Sequence, residues 1–309
     1  MKLVTLTLAA MLASSAAYAQ TTLTLYTSQP PEQAQSTVDA FEAAHTDIKV
    51  EWTRNGTTAL MNVMRAEIET GQVQADVLLV ADVINLGELK AGDHLLAYPE
   101  APVDAYNPAT DDKDMTFFST KAITTDIAYN TEIAKPVEKW ADLLKEENRG
   151  KIAVPSLLYS GAALNHLHAL INDLGIVPEG GNGPAIKAAA SGMAKYGIVV
   201  DANALRAKVA GSPIDYIAPK DGVSFITEPA TIMATTKHPK EAKIFIDFLL
   251  SKEGQELVAK QGNLPILPGV EGQEGYPKVE DIKLLGYDAD EAVKTNEEIC
   301  AKFADIFGL

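Results

Sequence analysis

Between Leu23 and Val80 the hydrophobic period switches back and forth between two and 3.6 residues, and that alternation confines the chain to an α/β architecture. Leu23 to Tyr26 alternates as a half-buried strand does, and Ala34, Val38 and Phe41 then recur on one helical face. Ile48 to Thr53 alternates again, followed by Leu60, Val63, Met64 and Ile68 at helical spacing. Ala75 to Val80, ADVLLV, is a nearly continuous apolar run, the pattern of a strand covered on both faces. Strand, helix, strand, helix, strand builds a sheet with helices packed on it. Pro31 suits the first position of the first helix, where its missing N–H has no intrahelical partner to lose. Asn55-Gly56-Thr57-Thr58 reads as the turn into the second.

Further along, Val83 to Lys90 predicts a short helix, and Tyr98 to Asp114, rich in Pro and Asp, a surface loop. Phe117 to Tyr129 reads as extended chain and Trp140 to Asn148 as helix. Ile152, Ala153 and Val154 form a buried strand closed by Pro155. A polar turn through Ser156, Ser160 and Gly161 then leads to the helical pattern Ala163, Leu164, Leu167, Leu170, Ile171. Asn182-Gly183-Pro184 starts a helix through Ala190, Gly197 to Val200 is another buried strand, and Val223 to Met233 is extended. From Pro239 the pattern is helical, with Ala242, Phe245, Ile246, Leu249 and Leu250, then Leu257 and Val258. Two long extended stretches, around Ile123 to Ala128 and Phe225 to Thr231, flank a second α/β unit spanning 129–217. They predict one lobe inserted into another: residues 20–124 plus 226–309 as lobe 1, residues 125–225 as lobe 2, and two crossing strands as a hinge. Such a cleft closes on what it binds.

Residues 1–19 carry one positive charge at Lys2, an apolar stretch from Leu3 to Leu12, and the small-residue ending Ala17-Tyr18-Ala19. They predict a cleavable signal peptide cut after Ala19 and a periplasmic mature chain. Gln20 stands where a lipoprotein would need Cys, and the apolar stretch is too short to span a bilayer. A net charge of −16 argues against nucleic acid and anionic membranes as partners. It leaves an anionic ligand possible, because exposed charges are screened over roughly 8 Å while local dipoles act at contact distance. Cys300 is the one cysteine, so no internal disulfide and no thiolate metal site can form; Ile299, Phe303 and Ile306 around it predict a helix with Cys300 as a small core residue.

Several turns share one build, a strand delivering hydroxyl and small residues into a helix start. Thr27 and Ser28, Thr57 and Thr58, and Ser160 with Gly161 and Ala162 each offer hydroxyl or backbone donors there. A helix cap is the ordinary use of each taken singly. Together they predict a small oxyanion held where they meet, each helix end contributing about 0.3–1 kcal/mol and up to about 2 when partly buried, without a Lys or Arg. Micromolar binding needs about 8 kcal/mol, so direct hydrogen bonds inside a closed cleft must supply the rest. Thr124 and Thr125, in the first hinge stretch, either reach the same oxyanion or serve as β-branched strand filler. Asp201, ending a buried strand, and Glu228, in the second hinge stretch, are placed to receive an ammonium or sugar hydroxyls; a helix N-cap and a surface acid are the plainer alternatives.

No enzyme pattern is visible. Tyr159-Ser160-Gly161 and Gly222-Val223-Ser224 each lack one glycine of G-x-S-x-G, which leaves a hydrolase without its nucleophile turn. His166 and His168, two apart, turn to nearly opposite sides of a helix, and His45, His94 and His238 are scattered, so no metal or other cofactor is expected. A Gly-rich phosphate loop ending in Gly-Lys-Ser/Thr is absent.

The stretches LTLYTSQPPEQAQSTVDAFEAAH, ADVLLVAD, KWADLLKEENRGKIAVPS and above all HPKEAKIFIDFLLSKEGQELVAKQGNLPI resemble the extracellular solute-binding proteins of ABC importers. Within these the chain is similar to the branch with ferric-iron, hexose-phosphate and 2-aminoethylphosphonate binders. The resemblance implies a two-lobed periplasmic-binding-protein fold of the second type, acting as a monomer that hands its ligand to a cognate inner-membrane permease served by a separate ATPase subunit. Iron binders of the branch use two adjacent tyrosines with a His or carboxylate, and no Tyr-Tyr pair occurs here. In the hexose-phosphate relatives a His is expected just before the acid, where this chain has Val200. The resemblance therefore points to an amino-phosphonate, with Asp201 and Glu228 neutralising the amine. A sugar phosphate, ferric iron or a polyamine are the alternatives within the family, and a ligand-presenting sensor component is one outside transport. The run from Asn172 to Gly181 is shorter than the helix that relatives carry there, which implies a trimmed second lobe.

Overall fold

The computed structural model describes residues 20–107, 112–156, 160, 163, 177–178, 182–273, 283–285 and 297–305. The expected signal peptide, Gly161, Ala162, the helical pattern after Ala163, His166, His168 and Ile306 lie outside the described residues, as does the run 172–181 apart from 177–178.

The opening alternation forms as expected: β1 (Thr21–Thr27), α1 (Pro31–Ala44), β2 (Ile48–Arg54), α2 (Thr57–Thr70), β3 (Val77–Leu79) and α3 (Val83–Ala91). β1 lies parallel between β2 and β3, pairing Leu25 with Trp52 on one side and with Val77 on the other. Ala34, Val38 and Phe41 of α1 are buried as read. On α2 the buried face is Thr57, Leu60, Met61 and Met64, while Val63, read as a core position, is 42 % exposed. Met61 outcompetes it because the stripe through 57, 60, 61 and 64 is the one turned toward β1 and β3, and sequence spacing alone did not choose between them. α3 starts at Asp82, whose carboxylate accepts from the N–H groups of Ile84 and Asn85 at 3.0 and 3.1 Å.

The long strand β4 (Phe117–Asn130) and its antiparallel partner β9 (Val223–Ile232) tie the whole sheet together. Strand order is β2-β1-β3-β9-β4-β7-β5-β6. The first half of β4 pairs with β9, which reaches β3; the second half pairs with β7 (Tyr196–Val200) and β8 (Ile214–Ile217). Parallel to β7 runs β5 (Ile152–Val154), followed by β6 (Val177–Pro178). Helices α4 (Asn182–Ala190) and α5 (Asp201–Val209) precede and follow β7. α6 (Pro239–Leu250) and α7 (Lys252–Lys260) carry the C-terminal helical passage, and β10 (Leu284–Leu285) pairs with Val223 and Ser224 at the start of β9.

The cores on either side of β4 differ in kind. Phe41, Phe118, Phe245 and Phe248 fill the first, with Phe41 edge-on to Phe245 at 4.8 Å. Small residues, Ala185, Ala188, Ala189, Ala194 and Ala204, fill much of the second around Val199 and Ile214. Tyr98, Ala101 and Tyr106, read as surface loop, are buried in the first core, where Tyr98 donates to Asp247 at 2.9 Å. Periodicity gave no sign of them because an irregular segment buries side chains without repeating. Trp140 to Asn148 is two 3-10 turns, Trp140–Leu144 and Glu146–Asn148, rather than one helix. Residues 297–305 are helical; Ile299 and Phe303 are buried, whereas Cys300 is only half-buried and so is not the core residue read from sequence.

Between Ser119, opposite Pro229, and Ala122, opposite Thr227, β4 holds Thr120 and Lys121 where β9 holds Glu228 alone. This is a β-bulge, and bulges re-aim a side chain and bend the strand that carries them. The Thr120 hydroxyl donates to the Glu228 carbonyl at 2.6 Å, and the Gln255 amide of α7 donates to the Thr120 carbonyl at 2.6 Å, so the bulge is pinned from both sides.

Candidate functional site

A cleft of about 850 Å³ opens where the two groups of strands meet, within the size range of small-molecule sites. The first turns of helices line it: Pro31, Glu32 and Gln33 of α1, Thr57 of α2 with Gly56 before it, Asn182, Gly183 and Pro184 of α4, and Asp201, Ala202 and Asn203 of α5. No side chain caps α1 or α2, while at α5 the Asp201 carboxylate takes the Ala202 N–H. Uncapped first turns leave N–H groups and the positive end of each helix dipole to whatever occupies the cleft. The convergence follows from topology: β9 is antiparallel to β3, β4 to β9 and β7 to β4, so β7 runs opposite to β1 and β2, and the carboxyl ends of the two groups of strands, where these helices begin, face each other.

Hydroxyls add oriented donors. Ser28 Oγ accepts from the Ala81 N–H at 3.1 Å, and Ser160 Oγ accepts from the Ala163 N–H at 3.2 Å and from Asn182 Nδ2 at 3.0 Å. With lone pairs already engaged, each hydroxyl has its proton left to give to an acceptor. Asn182 also accepts the Val200 N–H at 3.0 Å, so it ties the turn after β5 to the end of β7 and fixes Ser160 between them.

Charge is arranged unevenly. The bulge directs Lys121 onto Glu228, Nζ to Oε2 at 2.8 Å, with side chains only 3 % and 4 % exposed. Gln29 Nε2 donates to the same oxygen at 2.9 Å. Arg54 donates through Nε to the Gln29 carbonyl at 3.0 Å, and Lys187 and Arg206 line the opposite wall. Asp201 Oδ1 accepts the Ala202 N–H at 2.7 Å, while Oδ2 is enclosed with no hydrogen-bond partner. Burial pushes the Asp201 carboxyl up to about 6, against the pull of the Ala202 N–H, the nearby Thr124 hydroxyl and the more distant Arg206 and Lys121.

Of the residues singled out from sequence, Ser28, Thr57, Ser160, Asp201 and Glu228 line this one cleft. Thr27 sits beneath it with its hydroxyl occupied, donating to the Leu79 carbonyl at 2.9 Å and accepting the Gln29 N–H at 3.1 Å. Thr58 is in the first turn of α2 off the lining. Thr124 is wholly buried with its hydroxyl donated to Asp126 at 3.2 Å, and Thr125 is buried opposite Val200. Gly161 and Ala162 lie outside the described residues. Sequence reasoning missed Lys121, Gln29, Arg54, Lys187, Asn182 as a positioning group, Arg206 and Asn263. Gln29, directly after Ser28, Asn182, at the head of a recognised helix start, and Arg54, one residue before the Asn55-Gly56 turn, stood in or next to recognised signals. An anion here meets cations as well as neutral donors, so the expectation of anchoring without Lys or Arg does not describe the cleft.

The family model described as bacterial extracellular solute-binding protein matches residues 27–256. The spermidine/putrescine-binding periplasmic protein of Escherichia coli is 30 % identical over 185 residues, covering 53 % of this chain and 52 % of that protein. In fold, the chain is similar to the periplasmic binding protein AfuA of Actinobacillus pleuropneumoniae, solved with fructose-6-phosphate bound: TM-score 0.81, 23 % identity, 94 % of this chain and 99 % of the other. It is equally similar to iron-bound HitA of Pseudomonas aeruginosa: TM-score 0.81, 20 % identity, 94 % and 100 % covered. At these identities the structural likeness speaks for the fold alone.

Proposed function

The chain belongs to the bacterial extracellular solute-binding proteins and has their two-lobed type II fold, and from that premise we propose that it captures a small organic phosphonate or phosphate, with 2-aminoethylphosphonate as the leading ligand. Proteins of this family bind small ligands and deliver them to an ABC permease. The lobes are residues 20–124 plus 226–309 and residues 125–225, hinged on β4 and β9, with the mature chain monomeric, periplasmic and not itself catalytic. The ATPase is a separate subunit.

The observation that carries the ligand reading is the convergence on one cleft of uncapped helix starts, Ser28 and Ser160 with protons to donate, and the cations Arg54, Lys121, Lys187 and Arg206. That set suits a multiply charged acceptor oxygen group. The cations also weigh against a polyamine, which would meet like charge on both walls. Among the described lining residues there is no phenol, the oxygen donor that would suit a hard ferric ion. Asp201, on the lining of the cleft, offers its carboxylate to the ligand's other end, an ammonium by preference. Glu228, already neutralised by Lys121, is withdrawn from that role and instead holds Lys121 at the oxyanion.

A thermal-shift screen of the mature protein over phosphonates, sugar phosphates, phosphoglycerate, ferric citrate and polyamines tests this reading, because a ligand that prefers the folded state raises Tm. The largest rise is expected with 2-aminoethylphosphonate. A sugar phosphate giving the largest rise would keep the oxyanion site and replace the amine; stabilisation by polyamines or ferric citrate alone would overturn it.

A further inference from the structure

Asp201 has a second carboxylate behind it. Asp126 of β4 is 0 % exposed and Asp201 2 %, and the two are neighbours because Thr125 and Asp126 pair with Val200 and Val199 at the end of β7. Thr124 stands between them, its hydroxyl donated to Asp126 Oδ2 at 3.2 Å and close to Asp201 as well. Asp126 Oδ1 and Asp201 Oδ2 are both enclosed without a hydrogen-bond partner. An enclosed carboxylate oxygen with no donor is costly and is relieved by a proton or by a donor brought from outside.

The surrounding groups do not discharge the pair. Arg206 of α5 and Lys121 of β4 act on Asp201 from a distance, and Lys121 is already bonded to Glu228. Tyr216 of β8 faces both carboxylates, and its phenol is pushed up to about 12 by burial and by their charge. The adjoining stretch of strand β7, Gly197 to Val200, brings no titratable side chain. Burial, with the charge of Asp201 beside it, holds the Asp126 carboxyl well above the ordinary carboxylate range.

We propose that Asp126 and Asp201 share one proton in the ligand-free protein, and that a ligand's primary ammonium group, settling against Asp201, displaces that proton to solvent. This rests on the placing of the amine at Asp201. One positive charge arrives as one leaves, so the pair and its occupant keep a net charge of −1. Asp126 touches no ligand; it is a positioning residue that keeps a proton on the pair above the pH at which Asp201, raised by its own burial, would lose it, so that an ammonium can still take the proton's place. A ligand end that cannot replace the proton gains nothing from this wall.

The test is calorimetry of 2-aminoethylphosphonate and of ethylphosphonate, in two buffers of different ionisation enthalpy, on the wild type and on Asp126→Asn. Comparing the two proteins with one probe cancels the probe's own titration. With the aminated probe the wild type is expected to release up to about one proton more than the variant near pH 7, where Asp201 with its carboxyl at about 6 is already mostly ionised in the variant, and its affinity to climb about tenfold more between pH 6 and 8. Ethylphosphonate should show no difference between the proteins. Equal proton release in wild type and variant would overturn the pair while leaving the oxyanion site standing. If neither phosphonate binds, the ligand reading fails, and putrescine tests the pair: proton release that Asp126→Asn removes supports it, and no such difference overturns it. Should the variant not fold, carboxyl carbon NMR of the ligand-free wild type decides. Coupled titration with one step above pH 6 supports the shared proton, and two independent steps near pH 4 refute it.

Discussion

The two walls of the cleft hold buried acids in opposite ways. On the first, Glu228 meets Lys121 and Gln29, so a charge taken out of water is neutralised inside the protein, and it bonds two residues of the long crossing strands. On the second, Asp201 faces Asp126 across Thr124, and an oxygen of each lacks a donor. A buried charge with its partner in place holds structure together; one without costs stability until a partner arrives. Residue type does not distinguish these acids. What lies across from each does.

The largest effect should come from breaking the satisfied wall. Lys121→Met leaves Glu228 buried beside Gln29 alone and is expected to cost about 3–5 kcal/mol in urea unfolding at pH 7.5, with Glu228→Gln in the same background recovering most of it. A loss below about 1 kcal/mol would erase the contrast between the walls. Asp201→Asn should do the reverse. A carboxyl raised on folding binds more protons in the folded state, so the wild type loses stability as pH rises from about 4 through about 6. The variant should therefore be more stable than wild type by about 1–3 kcal/mol at pH 7.5 and nearly equal to it at pH 4. A variant less stable at both pH values would mean that Asp201 is a satisfied structural acid after all.

Smaller effects sharpen the division between oxyanion and amine. Ser160→Ala should lower affinity for every phosphorus ligand by about tenfold, the worth of one hydrogen bond to a charged group. Asp201→Ala should lower it for aminated ligands only; calorimetric losses of equal size across both sets would show that the walls do not divide the ligand this way. The least effect is expected at Val63→Ser, on the exposed face of α2, within about 0.5 kcal/mol of wild type by thermal unfolding.

Much of this was legible in the chain because it is local. The switch from period two to 3.6 placed β1, α1, β2, α2 and β3, and Pro31, Gly56 and Asn182 marked helix starts that the structure keeps. Ser28, Thr57, Ser160, Asp201 and Glu228 were found as residues at strand-to-helix turns or in the long extended stretches. Thr27 and Thr124 show the limit: each sits where a donor was expected, yet the carbonyl of Leu79, 52 residues on, takes the first hydroxyl, and Asp126, two residues along the same strand, takes the second.

By itself, then, the sequence determined the alternation of elements, the ends at which helices begin, and the polar character of the turns there, since propensity and capping act over a few residues. Only the tertiary structure decided which of those turns share a cleft, that a two-residue bulge swings Lys121 onto Glu228, and that Asp126 lies sealed beyond Thr124 beside Asp201. The physical reason is that an acid's charge depends on the water it has lost and the charges packed beside it, and both are set by residues distant in the chain.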